Sequence, residues 1–278
     1  MPKTDQISIR FLQWALPKLG YRWRGFRKPR NQVLKRIHLR IAELNLNGYE
    51  DYTTYLEDHP EEWEELDALL YVTISRFFRD RMLWDELTET IIPELVKIRH
   101  PQKVRIWSAG CCNGEEPYSI AIAADLSGHL NQVEILATDR QASILKRAEK
   151  GVYTESSVKE LTPAQRKKYF GRRTKSGEYN LKPQIKKAVT FEKRNILESW
   201  PQKKFDLIFC RYLAFTYFDH VRQQNIIEHI RSSLPKHGLL ITGNNEKLSD
   251  SANLVQPYPP LPVYGTKNHI KKNYPHSC

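Results

Sequence analysis

Apolar positions along the first eighty residues recur at helical spacing. Val33, Leu34, Ile37, Ile41 and Leu44 form one stripe, which predicts an amphipathic helix. The pattern breaks over Asn45 to Tyr49, with Gly48 as the expected stop. A second helix is predicted from about Pro60, where Glu61, Glu62, Glu64 and Glu65 suit the positive end of a helix. A third is predicted over residues 81–98, with Leu83, Leu87, Ile91 and Leu95 on one side. From residue 103 short apolar runs take over. Val104 to Trp107, Val133 to Ala137, and residues 189–191, 205–210 and 239–242 read as strands. Helical stretches separate them: one runs from Glu115-Glu116-Pro117 through Leu126, and another ends at Lys150 before Gly151. Thr162-Pro163-Ala164-Gln165 has capping-box spacing. Strands alternating with helices predict an α/β fold, a mostly parallel sheet with helices on both faces. The expected organisation is a small all-helical domain over 1–80 and an α/β domain over 81–265. Residues 266–278 follow as a loose tail, after the extended stretch that Pro257, Pro259, Pro260 and Pro262 predict.

Composition narrows the class. Hydrophobic residues make up 40% and charged residues 27% of the 278, the balance of a globular protein. No apolar run approaches the ~20 residues of a membrane span, and no secretory signal is visible, so no membrane insertion is expected. Cys111, Cys112, Cys210 and Cys278 form neither a disulfide framework nor a metal set, which points to a reducing, cytoplasmic setting. The net charge of +12 is concentrated. Ten basic residues and no acidic ones lie between Gln6 and Ala42, leaving 34 basic against 32 acidic elsewhere. Segment 6–42 therefore expects an acidic partner, with Arg36 and Arg40 side by side on the flank of the helical stripe. Tyr21, Trp23 and Phe26 interleave with Arg22, Arg24 and Arg27, so nucleic acid is the rival partner.

Open parallel sheets bind ligands beyond the carboxyl ends of their strands. Three features fall there. The Gly110 to Gly114 turn lets backbone approach a ligand, Asp139 can accept hydrogen bonds from a ribose, and Asn195-Ile196 can border an adenine. Gly110-x-x-x-Gly114 lacks the spacing that cradles a pyrophosphate, and Glu115 and Glu116 would repel one. A cationic adenosine cofactor without phosphate, S-adenosylmethionine, fits this chemistry.

Residues 107–119, Trp-Ser-Ala-Gly-Cys-Cys-Asn-Gly-Glu-Glu-Pro-Tyr-Ser, resemble the signature of CheR-type chemotaxis receptor methyltransferases, which are protein-glutamate O-methyltransferases. So do Thr73-Ile74-Ser75-Arg76-Phe77-Phe78-Arg79, Ala137-Thr138-Asp139, and residues 205–211 followed by Tyr217-Phe218-Asp219. The resemblance spans about residues 20–265 and implies a Rossmann-like S-adenosylmethionine-dependent domain behind a helical N-terminal domain. It also implies that Thr73, Ser75 and Arg79 line the amino-acid end of the cofactor. Gly110 would allow close approach, Glu116 would face the positive end, Asp139 the ribose, and Asn195 and Ile196 the adenine. Arg211 and Tyr217 would stand by the transferable methyl and the incoming carboxylate, with Tyr212 beside the cofactor. The implied partner is an acidic, helical, chemoreceptor-like protein.

Three departures from the family pattern bear on this. Tyr212 replaces the usual Asn, the stretch from Arg211 to Tyr217 is one residue longer, and Asn244-Asn245-Glu246 stands where His-Ser-Glu is common. The alternatives they raise are methylation of another protein or a small carboxylic acid, and a non-catalytic module that binds the cofactor. Residues 171–191 occupy the position of a small β-subdomain. Cys111-Cys112 reads as filling for a tight turn, and Phe77-Phe78 as core packing between the domains.

Overall fold

A computed structural model describes residues 3–249 and 252–266; the tail expected from 267 onward lies outside the described residues. The chain forms two compact units. One comprises residues 1–73 with 213–223, the other 74–212 with the remainder.

The first unit is helical: α1 (Lys3–Lys18), α2 (Trp23–Phe26), α3 (Arg30–Glu43), α4 (Tyr49–Asp58) and α5 (Glu62–Leu69). In α3 the predicted stripe buries Val33, Ile37 and Ile41. The helix ends before Asn45, which takes the left-handed backbone (φ +57°), so the stop precedes Gly48; that glycine stands before α4 instead. Around this stripe Leu12, Leu16, Tyr52, Leu56 and Leu66 are fully buried.

Residues 213–223, with the short helix Ala214–Tyr217, belong to this unit despite their distance in sequence. The Arg22 amide donates to the Tyr217 carbonyl (2.7 Å) and the Asp219 amide to the Gly20 carbonyl (2.9 Å). Tyr21 and Phe218 form an antiparallel bridge, and Phe26 packs on Tyr217 with ring centroids 5.0 Å apart. Gly25 is required here. A Cβ would stand 2.4 Å from the Thr216 carbonyl oxygen.

The second unit opens with a helix in which α6 (Arg81–Glu86) and α7 (Ile92–Arg99) flank a π-turn at Leu87–Ile91. Pro93 lacks an amide proton, and the wider turn ahead of it accommodates that loss. The strands are β1 (Val104–Ala109), β2 (Val133–Asp139), β3 (Val152–Thr154), β4 (Glu178–Asn180), β5 (Val189–Lys193), β6 (Leu207–Phe209), β7 (Leu239–Ile241) and β8 (Val263–Gly265). Six make one sheet in the order β5-β2-β1-β6-β7-β8, parallel except for β8. The antiparallel β8 was hidden in the sequence behind four prolines. Strand order reverses between β1 and β6, where a doubly wound sheet opens its ligand crevice.

α8 (Glu115–Leu126) follows β1 and is buried almost all round, through Tyr118, Ile120, Ala121, Ile122, Ala123 and Ala124. α9 (Ala142–Lys150) follows β2, buries Ile144, Leu145 and Ala148, and stops at Gly151 in the left-handed region. After α10 (Glu155–Val158), α11 (Pro163–Tyr169) begins with the predicted capping box between Thr162 and Gln165. α12 (Pro183–Lys186) precedes β5. The small sheet expected over 171–191 pairs β4 with β3, and residues 189–191 belong to the edge strand of the main sheet. Among the described residues no helix is long and apolar enough to cross a membrane.

Candidate active site

At the carboxyl end of β1 the chain turns through Gly110 (φ +71°), Cys112 (φ +52°) and Gly114 (φ +90°) into α8. The amides of Gly110 and Cys111 both donate to the Thr138 carbonyl, fixing this turn against the end of β2. Gly114 has no room for a side chain: a Cβ would lie 3.0 Å from Ala148 and from the Tyr153 hydroxyl. Cys111 is buried, and its thiol is pushed up by burial, as expected of filling rather than redox chemistry.

Three carboxylates converge beside this turn. Asp139 accepts from the Cys112 amide (3.0 Å) and the Gln141 amide (3.1 Å), one bond to each oxygen. Glu116 accepts from Ser108 Oγ (2.8 Å) and Arg211 Nη1 (3.1 Å). Glu115 is 2% exposed, and its Oε1 accepts from Ser157 Oγ (3.2 Å). Glu115 Oε2 is buried and has no hydrogen-bond partner among the described residues. Burial pushes the pKa of all three groups upward.

Facing them is a segment that links Ser75 to Asp80. The Phe77 amide donates to the Ser157 carbonyl and the Phe78 amide to Ser119 Oγ, both at 3.0 Å. Phe77 and Phe78 are buried, 0% and 6% exposed, as their apolar bulk predicts. Arg211 braces this segment: Nη2 donates to the Arg79 carbonyl (2.9 Å) and to Asp80 Oδ2 (2.6 Å). Its side chain is 2% exposed, and its Nε–H is buried without a partner among the described residues.

Tyr212 completes the wall. Its hydroxyl donates to Asp80 Oδ2 (2.6 Å), the Arg79 guanidinium lies 3.6 Å from its ring centroid, and its amide donates to Glu246 Oε2 (2.8 Å). The same Glu246 oxygen takes the Gly243 amide (2.7 Å). A Cβ on Gly243 would approach the Tyr212 ring to 2.6 Å, so the phenol and the glycine fit as a pair. Phe78, Asp80, Cys112 and Tyr212 all have positive φ. Such backbone persists only where surrounding contacts hold it, and it gathers at functional sites.

Ser75, Arg79, Gly110, Glu116, Asp139, Arg211 and Tyr212 thus share one unit; Arg211 bonds Glu116 and the Arg79 carbonyl directly, and Asp80 joins Arg211 to Tyr212. Asn195 and Ile196 follow β5, whose Arg194 amide bonds the Asp139 carbonyl. The Asn195 side chain closes its own turn, accepting from the Leu197 amide and donating to Glu198, while Ile196 is buried. Thr73 and Tyr217 fall in the helical unit. Sequence reasoning passed over Asp80, Glu115 as distinct from Glu116, and Glu246. Asp80 directly follows the Phe-Phe-Arg motif, which was the available signal.

The basic segment is not uniformly open. Arg36 donates to the carbonyls of Leu69 and Tyr71 and lies 3.9 Å over the Tyr71 ring. Arg40 grips Glu62 through two bonds, 2.9 and 2.7 Å, and Tyr52 adds a third at 2.8 Å. These two arginines hold α3 to α5 and do not face a partner. Arg22 likewise donates to the carbonyls of Phe215 and Thr216. Arg10, Arg24, Arg27, Lys28 and Lys35 remain exposed. Tyr21 and Phe26 are buried, which removes two of the aromatics that base stacking would need.

A cationic ligand fits this site, because buried Glu115 and half-buried Glu116 and Asp139 meet at the strand ends and one Glu115 oxygen lacks a donor among the described residues. Comparison with known proteins agrees. Residues 73–259 match the CheR methyltransferase SAM-binding domain and residues 28–70 the CheR methyltransferase all-alpha domain. A probable chemotaxis protein methyltransferase of Rhizobium etli is 34% identical over 233 residues, covering 80% of this chain and 86% of its own length. Chemotaxis protein methyltransferase 2 of Vibrio cholerae is 34% identical over 257 residues, covering 88% and 87%. The corresponding protein of Listeria innocua is 33% identical over 221 residues, covering 80% and 83%. With its central sheet, its helical N-terminal region and its acidic cleft, the chain belongs to the CheR family of S-adenosylmethionine-dependent methyltransferases.

Proposed function

We propose that this protein methylates glutamate side chains of an acidic, helical, chemoreceptor-like protein in the cytoplasm. The observation that carries the reading is the acidic cleft at the ends of β1 and β2, within a chain whose relatives are named chemotaxis protein methyltransferases. Bound S-adenosylmethionine supplies an electrophilic methyl on a sulfonium. The unpartnered oxygen of Glu115 supports it, more than Glu116, as acceptor for the cofactor's ammonium, because both Glu116 oxygens already have donors. Asp139 keeps lone pairs for the ribose hydroxyls, and in this reading Arg79 pairs with the cofactor's carboxylate. The Asn195 amide is engaged in its own turn, so Ile196 and backbone border the adenine in this reading.

The incoming glutamate needs no general base, since its reference pKa of about 4.3 leaves it ionised near neutrality. The chain's task is to strip water from that carboxylate and align it. Arg211 is held by Glu116, Asp80 and the Arg79 carbonyl, which makes it a rigid brace whose Nε–H has no partner among the described residues. Tyr217 is not assigned as a base. Steering of an acidic helix falls to Arg10, Arg24, Arg27, Lys28 and Lys35.

The test is transfer of tritiated methyl from S-adenosylmethionine to an acidic helical peptide. Mild alkali should release the label as methanol. Label that survives alkali would rule out a carboxyl ester.

A further inference from the structure

Half of the main sheet is covered on one face only. α8 and α9 both pack on β2 and β5, burying Ile135, Ala137 and Val189. The connection from β5 to β6, residues 194–206, contains no helix. The opposite face therefore stands open at Glu134, Leu136, Thr190 and Glu192, although strands of a parallel sheet are ordinarily buried on both faces. A groove of about 880 Å³ results, floored by these side chains and walled by Pro201 and Phe205.

Its charge is lopsided. Lys103, Arg105, Lys187, Arg194 and Lys203 line it against Glu134 and Glu192. Arg105 and Arg194 face those two carboxylates at 3.7 and 2.7 Å. Lys103, Lys187 and Lys203 are exposed, and none has a carboxylate partner among the described residues. The groove is a second basic surface, separate from segment 6–42. A nucleic acid would want exposed rings for stacking, yet the one aromatic lining it, Phe205, is 3% exposed.

We propose that this groove docks an acidic amphipathic helix of a partner protein, which takes the place of the missing crossover helix. Its apolar stripe covers Leu136, completing the helix layer that an α/β sheet requires, and its flanking carboxylates meet Lys103, Lys187 and Lys203. The groove lies on the sheet's face, away from the turn that follows β1, so its occupant is not the glutamate being methylated. This proposal stands independently of the methyltransferase reading.

The experiment uses the full chain without cofactor. Its probe is a fluorescein-labelled helical peptide carrying leucines on one face and glutamates beside them. Controls are a scrambled peptide of the same composition and an oligothymidylate of matching charge. Anisotropy should show binding of the amphipathic peptide that weakens by about tenfold or more in the Lys103→Glu/Lys187→Glu/Lys203→Glu variant. The single Leu136→Lys variant should weaken it as well. Charge reversal at Arg24, Arg27 and Lys28 should leave that binding mode in place, and hydrogen exchange should show protection over β2 and β5. Unchanged affinity in both groove variants overturns the proposal. So does equal binding of the scrambled peptide, or oligothymidylate binding that the groove variants abolish. Methyl transfer, assayed separately, shows whether the active-site reading fails on its own.

Discussion

Glu115→Gln separates a ligand-binding carboxylate from a structural one, because its two effects should have opposite signs. In the free protein Glu115 is 2% exposed, with Oε2 lacking any donor among the described residues. A buried, incompletely paired carboxylate opposes folding, and the neutral amide relieves that cost while Ser157 adapts its hydroxyl. The variant should therefore be more stable than the parent by about 1 kcal/mol in urea unfolding. Cofactor binding should move the other way. A hydrogen bond between charged groups contributes about 1.5–3 kcal/mol, so S-adenosylhomocysteine should bind roughly 10- to 100-fold more weakly by calorimetry. Methylthioadenosine lacks the amino-acid end, and its affinity should not change. Loss of stability and of both ligands together would mean that Glu115 is merely structural. Unchanged S-adenosylhomocysteine affinity would remove it from the site.

Other expectations follow from the same geometry. Asp139→Ala should weaken S-adenosylhomocysteine binding by about 1–3 kcal/mol in calorimetry, and methylthioadenosine equally, since both carry the ribose. Because burial raises the pKa of Glu115, Glu116 and Asp139, affinity for S-adenosylhomocysteine should begin to fall, as pH drops, above the ordinary carboxylate range. A calorimetric pH series checks this, and a decline confined to strong acid would contradict it. Gly243→Ala should destabilise the protein by about 2 kcal/mol through its clash with the Tyr212 ring, and adding Tyr212→Asn should recover most of that loss in a double-mutant cycle. Arg40→Ala should cost about 2 kcal/mol of stability in denaturant melts. Burial alone would raise the Glu62 pKa, but bonds from Arg40 and Tyr52 outweigh it and hold the carboxyl low. Its contribution is thus present above the unfolded pKa and is lost as pH falls through the folded one, so the variant should be less sensitive to acid.

The parts legible in the sequence were those that local pattern determines. The run at Leu239 is apolar because the parallel sheet buries both of its faces there, and Thr162 with Gln165 announces its cap without tertiary help. What escaped depends on distant partners. Arg36 and Arg40 look like steering charges until the carbonyls of Leu69 and Tyr71 and the carboxylate of Glu62 come to meet them. Residues 213–223 join the helical unit through Gly20, Arg22 and Phe26, which no periodicity can reveal. Glu115 and Glu116 are equivalent as neighbours in a chain. Only burial shows that one is neutralised by Arg211 while the other retains an unpaired oxygen. Tyr212 departs from the family's Asn, and its fit with Gly243, Arg79 and Asp80 shows the larger ring built in rather than merely tolerated.

The most direct test is a crystal structure of the protein with S-adenosylhomocysteine. The account predicts its amino group within hydrogen-bond distance of Glu115 Oε2 and both ribose hydroxyls on Asp139. An amino group bound elsewhere, with that oxygen still lacking a donor, would contradict it.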